Sequence, residues 1–304
     1  MNKIWSILCL AFLVMFSSLS FAAEFSRDAK MAVAKASPDA VAAHNKAAWL
    51  ALFSYKGIVE DPVGAKASQG DSWNWKKLVN DDSQLENFYE TFIAPNTIKF
   101  NVYQDIVIGN TVIRDVGIET TLSSGIVMVV PVHLMYELKE ENGALKIGRL
   151  AAHWELPVMV TQVINQGLKG IQTMIDLGMR MLSIQGASGV LGYLQGFTAG
   201  IFDDGKPAVA SFITASKAKD SAALANLFAS TNEGIQFPTG SATLTPASFV
   251  AQNPQIVVSD VRSAGFVTSF KFTATVQGIA RTGVAFFDFD STSKKIKKAR
   301  FFWE

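Results

Sequence analysis

Gly57-Ile58-Val59-Glu60-Asp61-Pro62-Val63-Gly64 reads as a short apolar strand broken by proline and glycine. The chain carries a second version of it, Gly234-Ile235-Gln236-Phe237-Pro238-Thr239-Gly240, one residue shorter. Upstream of the first lies Ala47-Ala48-Trp49-Leu50-Ala51-Leu52-Phe53; upstream of the second lies Ala222-Ala223-Leu224-Ala225-Asn226-Leu227-Phe228. Downstream, both halves run into strand-forming sequence and end alike, on His153-Trp154-Glu155 and Phe302-Trp303-Glu304. Matches in the same order at a nearly constant offset predict an internal duplication.

Working outward, residues 28–54 read as helical, with Pro38 placed at the first position of a helix that starts at Ser37. Val41, Trp49, Leu52 and Phe53 form its apolar stripe, and Lys56-Gly57 ends it. Residues 58–60 are the short strand, and 85–93, carrying Phe88, Tyr89 and Phe92, read as a second helix. Residues 98–108, 111–122, 126–139 and 145–155 are then rich in Val, Ile, Thr and Tyr. Gly109-Asn110, Ser123-Ser124-Gly125 and Asn142-Gly143 separate them, as suits antiparallel hairpins. In the second half the strands are 256–261, 266–277, 279–288 and 296–303. Helices first and a curved antiparallel sheet afterwards give an α+β order, twice.

Of the 304 residues 49% are hydrophobic and the net charge is +1, which excludes a disordered chain and a broad basic surface for nucleic acid. Lys3, the uncharged run 4–16 and the small residues of Ser20-Phe21-Ala22 read as a leader over 1–22, cut after Ala22 and directing export to a periplasm or the exterior; an N-terminal membrane anchor is the other reading. Cys9, the only cysteine, falls inside this leader. The mature chain then has no disulfide, thiolate nucleophile or thiolate metal site. His44, His133 and His153 show no metal-ligand spacing, so neither a metal nor another cofactor is expected.

Between the halves, Ile164, Leu168, Ile171, Ile175 and Leu182 recur at helical spacing and predict an amphipathic helix. Residues 181–202 then carry no charge. Their length alone permits a membrane span, but Gln185, Ser188, Gln195 and Thr198 lower the hydropathy, and the segment is read as a buried helix or helical hairpin.

Val59-Glu60-Asp61-Pro62-Val63-Gly64 resembles the strand and turn after the first helix of ketosteroid isomerases and polyketide cyclases, in the nuclear transport factor 2-like (SnoaL-like) superfamily. Phe88-Tyr89 is similar to the aromatic pair on that family's next helix, and Ala152-His153-Trp154 to the end of its last strand. The resemblance implies two cone-shaped α+β domains, 23–155 and 207–304, joined by the helical linker 156–206. It also implies that Asp61 sits where the isomerases hold their general base. A carboxylate at the mouth of an apolar cone loses solvation and becomes a better base, a tuning for which ketosteroid isomerase itself is a standard example. This chain departs from the family at the oxyanion hole: Ser37 falls where a tyrosine is expected and Leu134, beside His133, where a protonated aspartate is expected. The second copy has Phe237 in place of Asp61.

The expected ligand contacts are Tyr89, Tyr136, His153, Trp154 and Trp73, the last with Trp75 in an insertion that reads either as a lid or as an anchored loop. Tyr89 and Trp154 also read as core aromatics, His153 as a core or interface histidine, and Asp61 as a plain strand end. Three functions compete: an exported pocket protein for an apolar steroid-, polyketide- or lipid-like molecule; an isomerase or cyclase using Asp61; and an interaction module without a pocket. The expected state is a monomer whose two sheets pack together as an internal pseudo-dimer, with membrane contact, if any, through the linker.

Overall fold

The computed structural model describes residues 24–304 apart from 71, 75–78, 82, 231–233 and 277. The leader expected at 1–22 and Trp75 lie outside the described residues, as does the side chain of Trp73.

The first helix starts earlier than Pro38. The Ser26 hydroxyl accepts from the Ala29 N–H at 3.2 Å and caps α1 (Arg27–Ala42). Pro38 lies well inside this helix. A proline there removes the bond to the carbonyl four residues back, at a cost of about 3 kcal/mol when nothing replaces it. Here the replacement is the Arg114 guanidinium, which donates to the Ala34 carbonyl at 3.3 Å from the facing sheet. The Asn45 side chain caps α2 (Lys46–Ala51), which breaks the expected single helix in two.

β1 (Phe53–Glu60) follows, then β2 (Ser68–Gln69), the small pair β3 (Ser72–Asn74) and β4 (Val79–Asp81), and α3 (Ser83–Phe88), which continues as one π-helical turn, Tyr89–Ile93. A four-strand antiparallel meander comes next: β5 (Thr97–Ile108), β6 (Thr111–Thr121), β7 (Val127–Glu141) and β8 (Ala144–His153). β1 lies parallel to β8, so the sheet order is β2-β1-β8-β7-β6-β5. The linker holds α4 (Leu156–Ile164) and α5 (Leu168–Leu194), the latter kinked at Gly186, where φ is 69°.

In the rest of the chain a four-strand meander is again joined by a parallel strand, without counterparts of β2, β3 and β4 among the described residues. α6 (Gly205–Ala218) and α7 (Ser221–Asn226) precede β9 (Gly234–Gln236) and α8 (Pro246–Ala251), and then come β10 (Gln255–Ala264), β11 (Val267–Val276), β12 (Ile279–Phe289) and β13 (Ile296–Phe302). β9 lies parallel to β13 as β1 does to β8, and the order is β10-β11-β12-β13-β9. Two separate cores result, one under each sheet.

Side chains alternate across a strand, and both faces of the two sheets are occupied. Val132, Leu134, Tyr136 and Leu138 belong to the first core, while Ile106, Ile113, Met135 and Ala151 meet Ala264, Val284, Phe286 and Phe302 of the second sheet in a third, shared core. The sheets therefore pack back to back. His133 sits in this layer as a neutral ring. Its Nδ1 and the Ser269 hydroxyl are 2.8 Å apart, and the Arg262 guanidinium donates to its Nε2 at 2.7 Å. Burial, then the positive charge of Arg262, holds its pKa well below the usual histidine value.

The contacts across this layer are reciprocal. Val107 pairs with Val112 at the second rung of the β5–β6 hairpin, and Ser263 with Thr268 at the second rung of β10–β11. The Glu304 carboxylate accepts from the Val107 N–H, and the Glu155 carboxylate from the Ser263 N–H, each crossing to the other sheet. Three residues further along the second strand of each hairpin stand Asp115 and Lys271, and these two pair with each other at 2.9 Å. Gly64, at φ 98°, packs its backbone on Gly265, at φ 53°. A Cβ on Gly64 would fall 2.5 Å from the Gly265 Cα, so the glycine that ends the first motif is required by a backbone crossing.

Asp115 is 1% exposed, so its carboxylate rests on Lys271, with the Arg262 guanidinium 3.9 Å away. Removing one partner of a buried pair costs about 3–5 kcal/mol, and removing both costs far less; the partial exposure of Lys271 places this pair at the low end. Lys271→Met is expected to lose about 3 kcal/mol in urea unfolding, and Asp115→Asn added to it should recover at least half.

Candidate functional site

The inner face of the first sheet does not close on its helices. Between them is a cavity of about 170 Å³. Its floor is Val132, Leu134, Tyr136, Leu150 and Ala152 from β7 and β8, its sides are Val41 of α1, Trp49 of α2 and Phe88, Phe92 and Ile93 of the α3 turn, and its far wall is Ile98, Phe100 and Ile118 of β5 and β6. The linker helices roof it, through Met159 and Val163 of α4 and Met174, Leu177, Arg180 and Tyr193 of α5.

Asp61 lines this cavity just past β1, and it is half-buried there. The Trp154 indole N–H donates to its Oδ1 at 2.5 Å. Desolvation raises the carboxyl to a pKa of about 6, with the Trp154 bond pulling the other way. Tyr193, on the roof, is pushed above the usual tyrosine value by burial and then by the Asp61 charge. At the floor, burial takes the Tyr136 hydroxyl to a pKa of about 12, with the nearby Arg114 charge pulling the other way, so it stays protonated at any ordinary pH. Arg114 in turn donates to Asp105 at 2.8 Å.

Asp61, Tyr136 and Trp154 all line this one cavity. Tyr89 and His153 do not join them. Tyr89 is buried in the core beside Trp49, with ring centroids 5.7 Å apart, and it does not line the cavity. The turn of helix that carries it points Phe88 and Phe92 inward instead. His153 sits on the opposite face of β8, because Ala152 and Trp154 take the cavity side. Its ring lies edge-on to Phe286 of the second sheet at 4.7 Å, its Nδ1–H donates to the His133 carbonyl at 3.1 Å, and burial drives its pKa down to about 3. Among the described residues no cluster of three His, Cys, Asp or Glu side chains is placed to hold a metal ion.

The roof was not legible as a site. The stripe that predicts the linker helix, Ile164, Leu168, Ile171, Ile175 and Leu182, faces solvent, with Leu168 87% exposed. The cavity is met by the other face, through Thr173, Met174, Leu177 and Arg180. Apolar residues occur on both faces of α5, so periodicity could not choose between them; the signal available was Arg180, the last charge before the uncharged run. Among the described residues no helix is long and apolar enough to cross a membrane.

At the matching place in the second sheet, among the described residues, phenylalanines pack together. Phe237 stands where Asp61 stands in the first, and it packs on Trp303 at 4.6 Å, as Asp61 bonds to Trp154. Phe212, Phe249, Phe270, Phe272, Phe287 and Phe301 interlock around it at centroid distances of 4.8–6.2 Å. Each buried phenylalanine contributes roughly 1.5–3 kcal/mol, so this interior is filled for stability.

No family model matches the chain, and no curated protein matches it. Solved structures do. One is a Δ5-3-ketosteroid isomerase from Mycobacterium sp., at 24% identity over 42% of this chain and 93% of that one, with a TM-score of 0.33. Another is a Mycobacterium tuberculosis protein in complex with estradiol-17β-hemisuccinate, at 19% identity over 42% and 95%, TM-score 0.35. A third is the epoxide hydrolase/cyclase-like enzyme SalBIII of pyran ring formation in polyether salinomycin, at 19% identity over 33% and 91%, TM-score 0.30. In each case the match spans less than half of this chain.

Proposed function

We propose that the chain is a pocket protein that holds an apolar small molecule in its first unit, with the second unit serving as a built-in partner that braces the sheet from behind. The observation that carries this reading is the contrast between two interiors of one connectivity: the first is hollow, lined by aliphatic and aromatic side chains and roofed by α5, and the second is plugged by phenylalanines. A few convergent polar groups in an apolar cavity are the usual make-up of a small-molecule site, and here they are Asp61, Tyr136 and Trp154.

Trp49 and Trp154 both line the cavity, so their fluorescence reports its occupant. Titration with progesterone, and separately with methyl laurate, should give saturable quenching with at least one of them. Leu134→Trp fills the floor and should weaken that binding by about tenfold or more. Failure of every apolar probe to bind, with native mass spectrometry showing an empty protein, would remove the reading and leave an interaction module.

A second reading is catalysis with Asp61 as general base, favoured by its pKa of about 6. Tyr136 then offers the hydroxyl nearest in kind to the missing oxyanion donors. Asp61→Asn should abolish proton transfer on a β,γ-unsaturated ketosteroid while binding persists; equal turnover in the variant would exclude the role.

The same carboxyl makes stability depend on pH. Its folded pKa lies above the ordinary aspartate value of 3.8, so the native state favours the protonated form. The contribution is fully present below about pH 4 and is lost as pH rises through about 6, by up to roughly 3 kcal/mol. Asp61→Asn keeps an acceptor for Trp154 and carries no charge. It should therefore be more stable than the parent at pH 8, and the difference should shrink toward pH 4 in paired urea titrations.

A further inference from the structure

Two ionisable side chains of opposite sign line the cavity, Asp61 and Arg180. They are not partners: Asp61 takes the Trp154 N–H, and Arg180 bonds elsewhere. Arg27, Arg114, Arg149, Arg262 and Arg300 each lie within ion-pair distance of a side-chain carboxylate. Arg180, among the described residues, meets none. Its guanidinium donates to two neutral oxygens, the Ser123 hydroxyl at 3.0 Å and the Thr91 carbonyl at 3.4 Å. A guanidinium presents five N–H donors in a rigid planar fork, so most of the fork is unspent.

The surroundings hold that fork in place. Gln185, one turn further along α5, donates to the Thr91 hydroxyl at 2.9 Å, so the roof is pinned to the π-helical turn at two points. Ser123 is fixed from below, where its N–H donates to the Asn96 side chain at 3.1 Å. Asn96, Ser123 and Arg180 all line the cavity, and they form a polar rim on an otherwise apolar hollow.

A half-buried guanidinium with no anion gains most from a ligand that supplies one, because a planar fork matches the two oxygens of a carboxylate. We propose that Arg180 anchors the head of an amphipathic organic anion, a carboxylate carried on an apolar body, whose body fills the cavity. The proposal rests on the pocket reading above and names the class of molecule the pocket takes. A neutral steroid or ester then occupies the same hollow without its strongest contact.

The test is the ratio of affinities for laurate and methyl laurate, which share an apolar chain and differ in the charge of the head, read by tryptophan fluorescence near pH 7.5. Laurate is expected to bind the parent protein about tenfold or more tightly than the ester. In Arg180→Gln the ratio should collapse to about one, and Arg180→Lys, which keeps the charge and loses the fork, should fall between. A ratio near one in the parent protein, or a ratio that survives in Arg180→Gln, overturns the anchor while ester or progesterone binding upholds the pocket. If none of the three probes binds, the pocket reading falls and the anchor with it. The parent ratio alone decides the matter should Arg180→Gln fail to fold.

Discussion

Everything in the first unit depends on what presses against the back of its sheet. A sheet with one hollow face has lost half of the packing that would hold its strands in register. Here the middle of the other face is covered, by Val284, Phe286 and Phe302 and by the Asp115–Lys271 pair. Glu155 and Glu304 tie the two hairpin ends from opposite sides. With the register fixed from behind, Val132, Leu134 and Tyr136 can face a space that contains no protein. The second unit supplies that rigidity with an interior in which Phe237, at the place of Asp61, packs among other phenylalanines.

The division of labour turns on one position. Trp154 and Trp303 end equivalent strands, and each meets the residue before a proline. A carboxylate there, Asp61, lines the cavity and carries a raised pKa; a phenyl ring there, Phe237, packs on its tryptophan. Both alternatives satisfy the tryptophan, one through its N–H and the other through its ring.

How much of this the sequence disclosed varied with the kind of evidence needed. Richness in Val, Ile, Thr and Tyr, with short turns such as Gly-Asn and Asn-Gly in the first half, marked all eight strands of the two meanders to within about three residues. Alternation along β7 sets His133 on the far side from Tyr136. By the same rule His153 should have been assigned away from Trp154, and the motif likeness drew it to the wrong face. Pro38 read as a helix start because local rules place proline there; its compensation by Arg114 comes from a strand distant in sequence, which no local rule contains. The roof failed for a similar reason. A helix with apolar residues on both sides does not say which side meets a cavity, and Arg180 and Tyr193 become site residues only once α5 is laid across the cone.

The Asp115–Lys271 pair has a consequence for how such a molecule can change. When two identical chains meet about a two-fold axis, whatever gene segment writes one side writes the other, and a charge near the axis faces its own likeness. Here the two sides come from different stretches of a single chain, so an acid can stand opposite a base and a histidine opposite a phenylalanine. The contact also has no partner to lose on dilution, since its two halves share one polypeptide. The two interiors can therefore drift independently, one half free to fill while the other stays open.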